Sequence, residues 1–198
     1  MSFAPGDPAP SQQPLDELIA GLAVDVPDHP VPGVLFRDLT PVFADPVGFR
    51  RMVEGLTVSQ DGDPRAAAVA GDDGPGFDVV VGVEARGFLL AAAVALGAGV
   101  GVVPVRKSGK LPRAVVSADY ALEYGTGTLE LHADALHTGQ RVLVVDDVLA
   151  TGGTLGAAVA LVEQLGAVVT GVSVVIELAA LGGRQRVAPH PVHALWTT

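Results

Sequence analysis

Cysteine is absent from the 198 residues of the chain, and only two of its twelve basic residues are lysines. Without cysteine the protein has no disulfides, no thiolate metal sites and no cysteine nucleophile. Aromatic residues are also few, at 5%, so the hydrophobic content of 49% depends largely on small residues such as Ala and Val. The formal net charge of −10 argues against non-specific binding to nucleic acid, and no nucleic-acid partner is expected.

Long apolar runs are scarce, and one uncharged stretch of 18 residues, 88–105, bears on whether the chain spans a membrane. Its length is about the minimum for a spanning helix, but three glycines and a proline interrupt it. We therefore predict a buried helix over about 87–97, a core strand over about 100–105 and no membrane partner. No Lys or Arg precedes Arg37, unlike in a secretory signal. We expect a cytoplasmic protein with a disordered, Pro-rich lead-in at 1–14.

Strand-like and helix-like patterns alternate along the chain. The strand patterns lie at about 78–83, 100–105, 141–146 and 168–177. Helical patterns at about 87–97 and 154–165 lie between them. This alternation predicts an α/β fold, with a mainly parallel twisted sheet flanked by helices on both faces. A chain of this length is long enough for one domain and short for two, so a single domain is expected over 15–198.

Other segments fall outside this alternation. Apolar spacing predicts a short helix over about 16–24, and Asp45 followed by proline is typical of the start of a second helix, which we expect to reach about Leu56. Residues 59–76 are rich in Gly, Pro and Asp and are predicted to form a surface insertion. Partial polar–apolar alternation indicates a projecting hairpin, or flap, over about 107–135.

Residues 142–154, VLVVDDVLATGGT, are the most informative segment. Four apolar residues predict a buried strand, and Asp146 and Asp147 follow at its C-terminal end, where open α/β sheets bind ligands. The loop then opens a helix, and its glycines, free N–H groups and helix dipole favour a phosphate. We therefore expect a sugar phosphate, with its hydroxyls on the carboxylates and its phosphate in the loop. The alternative is a generic Gly-rich turn between strand and helix.

Positive charge is concentrated in two places that suit an anionic ligand. Arg86 follows the strand at 78–83, where its guanidinium can pair bidentately with phosphate oxygens; otherwise it pairs with nearby carboxylates. Four of the twelve basic residues lie within 106–113, which includes both lysines of the chain. We favour anion binding there over an ordinary solvated loop, and the small residues of this segment suit closure over a leaving group.

Segment 142–154 resembles the phosphoribosyl pyrophosphate (PRPP) binding motif of the type I phosphoribosyltransferases: four hydrophobic residues, two acids, a short apolar stretch and Thr-Gly-Gly-Thr. Segment 83–88 resembles the pyrophosphate loop of that family. Segment 121–125, Ala-Leu-Glu-Tyr-Gly, and segment 32–41, which contains Leu-Phe-Arg-Asp, are similar to the flap and hood of the adenine phosphoribosyltransferases. The resemblance extends over about 16–195, with a hood at about 15–44.

The resemblance implies transfer of the phosphoribosyl group from PRPP to adenine, giving AMP and pyrophosphate in purine salvage. It implies that Asp146 and Asp147 face the ribose, that Glu123 manages the purine proton beside Tyr124 on the flap, and that a non-proline cis peptide lies at Ala85–Arg86. The residues implied for the 5′-phosphate are Ala150, Thr151, Gly152, Gly153 and Thr154. Those implied for pyrophosphate, with Arg86 also catalytic, are Glu84, Ala85, Arg86, Arg106, Lys107 and Lys110.

In the hood, the resemblance implies backbone contacts to adenine from Leu35 and Arg37 and apolar packing by Phe36, which could instead be an ordinary core residue. It also implies Mg²⁺ carried by PRPP, with water-bridged contact to Asp146 and Asp147 and no direct protein ligand, and a homodimer. Two alternatives remain open at this point. One is a phosphoribosyltransferase for another purine base, and the other is a non-catalytic protein that senses PRPP or a purine.

Overall fold

The computed structural model describes residues 12–29, 31–33, 35–57, 76–121 and 126–198. The chain divides into two compact units, Met1–Met52 and Val53–Thr198. Residues 1–11 of the expected lead-in, and all of the expected insertion except Gly76, lie outside the described residues. The single domain expected over 15–198 stays a prediction.

The first unit contains two short helices and a two-stranded ribbon. Helix α1 (Leu15–Leu22) buries Leu18 and Ile19, and strands β1 (Val24–Pro27) and β2 (Leu35–Asp38) pair antiparallel. Helix α2 (Thr40–Ala44) follows. Helix α3 (Pro46–Thr57) starts as predicted, because Asp45 Oδ1 accepts hydrogen bonds from the N–H groups of Val47 at 3.0 Å and Gly48 at 2.7 Å.

The second unit is built on a seven-stranded sheet. Its strands are β3 (Val79–Val83), β4 (Gly101–Lys107), β5 (Val115–Ala121), β6 (Thr126–His132), β7 (Arg141–Leu149), β8 (Val168–Glu177) and β9 (Val192–Thr197). Their order in the sheet is β5-β6-β4-β3-β7-β8-β9. The four neighbouring pairs from β4 to β9 in that order are parallel, and β5 and β6 add an antiparallel hairpin at the edge beside β4. The mainly parallel α/β sheet predicted from the alternation is confirmed.

Helices cover both faces of this sheet. Helix α4 (Arg86–Ala98) lies on one face, where a β-carbon placed on Gly82 would be 2.5 Å from that of Ala91. Helix α5 (Gly153–Gln164) lies on the other, where its Leu161 shares the buried core with Val81. Residues 81 and 82 point to opposite faces because successive strand side chains alternate. A short helix, α6 (Arg184–Val187), follows a 3₁₀ turn after β8.

Two features differ from the sequence-based expectation. Strand β7 continues three residues beyond the predicted end at 146, because Val148 and Leu149 still pair with β8, so the acidic pair lies within the strand. Strand β9 was not predicted; it pairs with β8 along a parallel edge that the local sequence does not reveal. The stretch 88–105 divides between α4 and β4 as expected. The prediction of a core strand there was wrong, because α4 packs mainly on β3 and β7 and only Val105 of β4 is fully buried. No helix in the described ranges is long and apolar enough to cross a membrane.

Candidate active site

A cavity of about 380 Å³ opens at the carboxyl ends of β3, β4 and β7. This is the edge at which parallel α/β sheets bind ligands. The cavity brings together acidic residues, a cationic pair and the glycine-rich loop, which lie apart in the sequence. Its lining consists of Glu84, Ala85, Arg86, Lys107, Tyr120, Asp146, Asp147, Val148, Ala150, Thr151, Gly152, Gly153, Thr154 and Leu155.

Asp146 and Asp147 form a buried acidic pair at one side of the cavity, with 8% and 6% of their surface exposed. Asp147 Oδ2 lies 2.6 Å from a terminal guanidinium nitrogen of Arg86, which is the carboxylate pairing considered as the alternative for this arginine. Asp146 Oδ1 accepts the backbone N–H of Asp147 at 2.9 Å. Burial, reinforced by the adjacent charge of Asp147, raises the pKa of Asp146 well above its ordinary value. Ionisation of Asp146 is therefore disfavoured as the site stands, and a cation or developing positive charge beside the pair would favour it.

Gly87 allows helix α4 to lie close to the acidic pair Asp146 and Asp147. A β-carbon on Gly87 would lie 2.8 Å from Asp146 Oδ1 and 3.0 Å from the carbonyl oxygen of Val145. Only a residue without a side chain lets the first turn of α4 approach β7 this closely. The same approach brings Arg86, the first residue of α4, to Asp147.

The turn between β3 and α4 contains a non-proline cis peptide, which the structure places at Glu84–Ala85. The expectation of a cis bond at Ala85–Arg86 was therefore wrong by one residue, because a resemblance between motifs identifies the loop but not the bond within it. The Glu84 side chain accepts hydrogen bonds from Arg106 Nε at 3.2 Å and from the N–H of Lys107 at 3.0 Å. Burial raises the pKa of Glu84, but these hydrogen bonds outweigh it and the net shift is downward.

A second carboxylate holds the basic loop that follows β4. Glu130, on β6 and 8% exposed, accepts hydrogen bonds from Ser108 Oγ at 2.6 Å and from the N–H of Gly109 at 2.9 Å. Lys107, on one side of this turn, lines the cavity. Arg106 and Lys110 do not line it: the Arg106 guanidinium lies against Glu84 and 5.9 Å from the centre of the Phe88 ring.

The loop after β7 presents backbone rather than side-chain charge. Gly152 is the N-cap of α5 and has φ +79°, a left-handed conformation that favours glycine. Glycine has no side chain that could accept hydrogen bonds from the N–H groups of the first helical turn, so these groups remain available to a ligand. The positive end of the helix dipole also faces the cavity. Thr151 and Thr154 line the same cavity and add hydroxyl groups. A phosphate is the ligand that this combination favours.

The family model described as the phosphoribosyl transferase domain matches residues 65–190. An adenine phosphoribosyltransferase of Salinispora tropica is 55% identical over 181 residues, which cover 91% of this chain and 90% of that protein. The solved adenine phosphoribosyltransferase of Thermoanaerobacter pseudethanolicus superposes with a TM-score of 0.83 at 42% identity, covering 93% of this chain and 99% of that one. The chain belongs to the adenine phosphoribosyltransferase family.

A second solved member of the family, from Saccharomyces cerevisiae, was crystallised with adenine and an imino-altritol bisphosphate. It has a TM-score of 0.81 and 36% identity, and the match covers 91% of this chain and 98% of that one. These relatives confirm the expected family and the expected sheet architecture.

The hood residues expected in this family lie on the ribbon of the first unit. Phe36 is partly buried and its ring meets that of His29 edge-on, with centroids 5.0 Å apart. Leu35 is 51% exposed, and Arg37 Nε lies 3.3 Å from an oxygen of Asp25. Phe36 is therefore not among the fully buried core residues.

Two residues expected from the family, Glu123 and Tyr124, lie outside the described residues, which leave out 122–125. Tyr120, near the end of β5, was not predicted as a site residue; it lines the cavity and lies beside the glycine-rich loop. Alternation along β5 gives a signal for it, because Val116, Ala118 and Tyr120 share the face that packs on the core. Glu130 was not predicted as a site residue either. The sequence signal for it is a single acidic residue between two leucines.

Proposed function

We propose that this chain transfers the 5-phosphoribosyl group of PRPP to adenine, releasing AMP and pyrophosphate. The observation that carries the proposal is the single cavity in which an acidic pair, a glycine-rich helix start and two cations meet. A ribose with phosphate groups at both ends needs those three kinds of contact at the same time. The family relationship supplies the base, since the relatives that match over nearly the whole chain are named for adenine.

The loop from Ala150 to Thr154 is the proposed site of the 5′-phosphate. Its support is the uncapped helix start and the two threonine hydroxyls described above. Asp146 and Asp147 then lie on the strand that leads into this loop, within reach of the ribose. In this role their carboxylates bind the ribose hydroxyls and favour positive charge as it develops on the sugar.

The opposite end of the cavity is the proposed pyrophosphate site. Arg86 and Lys107 supply positive charge, and the turn at Glu84 and Ala85 supplies backbone groups. Arg106 and Lys110 stand further out, and we propose that they contribute when the basic loop closes over the bound substrate. In the arrangement described, Glu84 and Glu130 hold that loop by its backbone and side chains.

The chemical step is a displacement at the anomeric carbon with inversion. The bond from that carbon to the pyrophosphate oxygen breaks as a bond to the purine nitrogen forms, and the electron pair leaves with pyrophosphate. The purine nitrogen loses its proton, and we assign that proton to Glu123 as general base. Exclusion of water is needed because an oxocarbenium-like centre would otherwise be hydrolysed.

The acidic pair also fits the Mg²⁺ that the family uses with PRPP. Burial beside Asp147 disfavours the charged form of Asp146, and a nearby cation would restore it. Mg²⁺ usually keeps several waters and binds through substrate phosphates and one or two carboxylates. Asp146 and Asp147 would hold such an ion through water, where it would screen the pyrophosphate charge.

The adenine site is proposed on the hood ribbon, from backbone atoms of Leu35 and Arg37 and the ring of Phe36. A base that presents an acceptor where adenine presents its amine would leave a polar group unpaired, which disfavours hypoxanthine and guanine. We also propose a cytoplasmic homodimer. Leu89 and Leu96, two turns apart on one side of α4, are 58% and 84% exposed and provide apolar surface for a second copy.

Base selectivity tests the proposal. The purified chain is assayed for nucleotide formation from PRPP and Mg²⁺ with adenine, hypoxanthine or guanine in parallel, and light scattering gives the oligomeric state. We expect adenine to give a kcat/KM at least about a hundredfold above the other two bases, because a mispaired polar group in a binding site is costly. Equal rates with the three bases would contradict the adenine assignment.

A further inference from the structure

An ion pair between a buried carboxylate and a half-exposed arginine is not used by the proposed reaction. Glu177, the last residue of β8, is 5% exposed and accepts two parallel hydrogen bonds from Arg184, each 2.7 Å long. Arg184 donates a third hydrogen bond to the carbonyl oxygen of Val192 at 2.9 Å. Neither side chain lines the cavity of about 380 Å³. The pair fixes the turn at 182–187 to the last residue of β8 and the first residue of β9.

That turn is in backbone contact with the glycine-rich loop. A β-carbon on Gly183 would collide with the carbonyl oxygen of Ala150 and lie 2.8 Å from Leu149 Cδ1. In the other direction, a β-carbon on Gly152 would collide with the carbonyl oxygen of Gly183 and lie 2.8 Å from the β-carbon of Arg186. The two glycines therefore allow the loop and the turn to pack together without an intervening side chain.

The connection extends to the strand that carries the acidic pair. The N–H of Leu178, next to Glu177, donates to the carbonyl oxygen of Leu149 at 2.9 Å. The end of β8 thus holds the end of β7, and the turn at 182–187 supports the loop that follows. A planar guanidinium held by both carboxylate oxygens has little freedom to rotate, so it fixes the orientation of the turn as well as its distance.

We propose that the Glu177–Arg184 pair is a positioning device for the 5′-phosphate loop: it presses the 182–187 turn against Ala150 and Gly152 and so sets the geometry of the N–H groups that bind the phosphate. This proposal rests on the proposed function, because it takes the loop as the site of the 5′-phosphate. Arg184 acts through the loop and not on the substrate, since both of its pairing nitrogens are engaged by Glu177.

The first test is a pair of glycine substitutions in the turn. G183A places a methyl group against Ala150 at a residue whose φ of −58° suits any amino acid. G182A places one where nothing lies within 4 Å, although φ there is +66°. Affinities for ribose 5-phosphate and for pyrophosphate are measured by calorimetry. We expect G183A to weaken ribose 5-phosphate about tenfold or more, and pyrophosphate less than about twofold, because small displacements of positioning groups are costly. G182A keeps both affinities.

A second pair of variants tests the ion pair itself and remains informative if G183A does not fold. R184K keeps the charge but loses the two-pronged geometry, and R141K does the same to the Arg141–Asp78 pair at the opposite end of β7. We expect R184K to weaken ribose 5-phosphate about fivefold with little change for pyrophosphate, while R141K changes neither.

The outcomes separate this proposal from the proposed function. If wild type binds ribose 5-phosphate and R184K binds it equally well, the positioning role is refuted while the phosphate site stands. If R184K weakens ribose 5-phosphate and pyrophosphate alike, the pair only stabilises the fold and the proposal is also refuted. If wild type itself does not bind ribose 5-phosphate, the assignment of the loop to the 5′-phosphate fails, and with it the proposed function.

Discussion

Replacement of Gly87 by alanine tests whether the close approach of α4 to β7 builds the active site. The added β-carbon would lie 2.8 Å from Asp146 Oδ1 and 3.0 Å from the Val145 carbonyl oxygen, both well inside van der Waals contact. Neither atom is the free end of a flexible side chain, since one is backbone and the other belongs to a buried carboxylate. The helix must therefore move away from the strand, or the strand must bend.

The expected cost follows from this overlap. Forcing an extra carbon into a well-packed interior costs about 1–3 kcal/mol. For a chain of this size, each kcal/mol lowers the melting temperature by about 2–4 °C, so G87A should melt about 2–12 °C below wild type. Because Arg86 and Asp146 are held by the same contact, G87A should also lower kcat/KM for AMP formation by about tenfold or more.

Gly97 in the same helix provides the matched control. It is exposed, and a β-carbon there would meet nothing within 4 Å. Alanine is the better helix former by up to about 1 kcal/mol, so G97A should melt at or slightly above the wild-type temperature with unchanged activity. Thermal denaturation followed by circular dichroism separates the two variants. If G87A were as stable and as active as G97A, the close approach would not position the site.

Three further predictions concern charged residues in or beside the cavity. The pKa of Asp146 is raised in the folded protein, so its ionisation lowers the stability as pH rises above the pKa of the unfolded state. Denaturant titrations should therefore show that D146N is stabilised relative to wild type more near pH 7 than near pH 4. The pKa of Glu84 is lowered, so the stability it contributes is lost as pH falls, and E84Q should lose more stability near pH 7 than near pH 4. E130Q, which weakens the hold on Gly109, should raise KM for PRPP several-fold with a smaller change for adenine in steady-state assays, whereas equal changes would contradict a role in the basic loop.

The central sheet could be predicted because its signal is local. Strands β3, β7 and β8 are rich in β-branched residues that lie in the core, and the expected bounds of β8 agree with the structure. The first turn of α4 could be placed for the same reason, since it directly follows a buried strand. Strand β9 could not, because its pairing with β8 depends on a partner distant in sequence.

The parts of the site that could be predicted are those whose functional residues are neighbours in the sequence. The acidic pair and the glycine loop are contiguous, and the structure brings them to one cavity with Arg86 and Lys107. The Arg86–Asp147 contact and the carboxylates of Glu130 and Glu177 depend on elements that meet only in the fold. A lone buried acid carries no spacing pattern, so its partner is visible only in three dimensions.

The most direct test of the account is the product balance of the reaction, followed by phosphorus NMR. PRPP, adenine and Mg²⁺ are incubated with the purified chain, and AMP and pyrophosphate are quantified together over time. We expect the two products to appear in equal amounts, with PRPP stable when adenine is omitted and little turnover when Mg²⁺ is removed. No AMP, or PRPP consumption that is independent of adenine, would contradict the account.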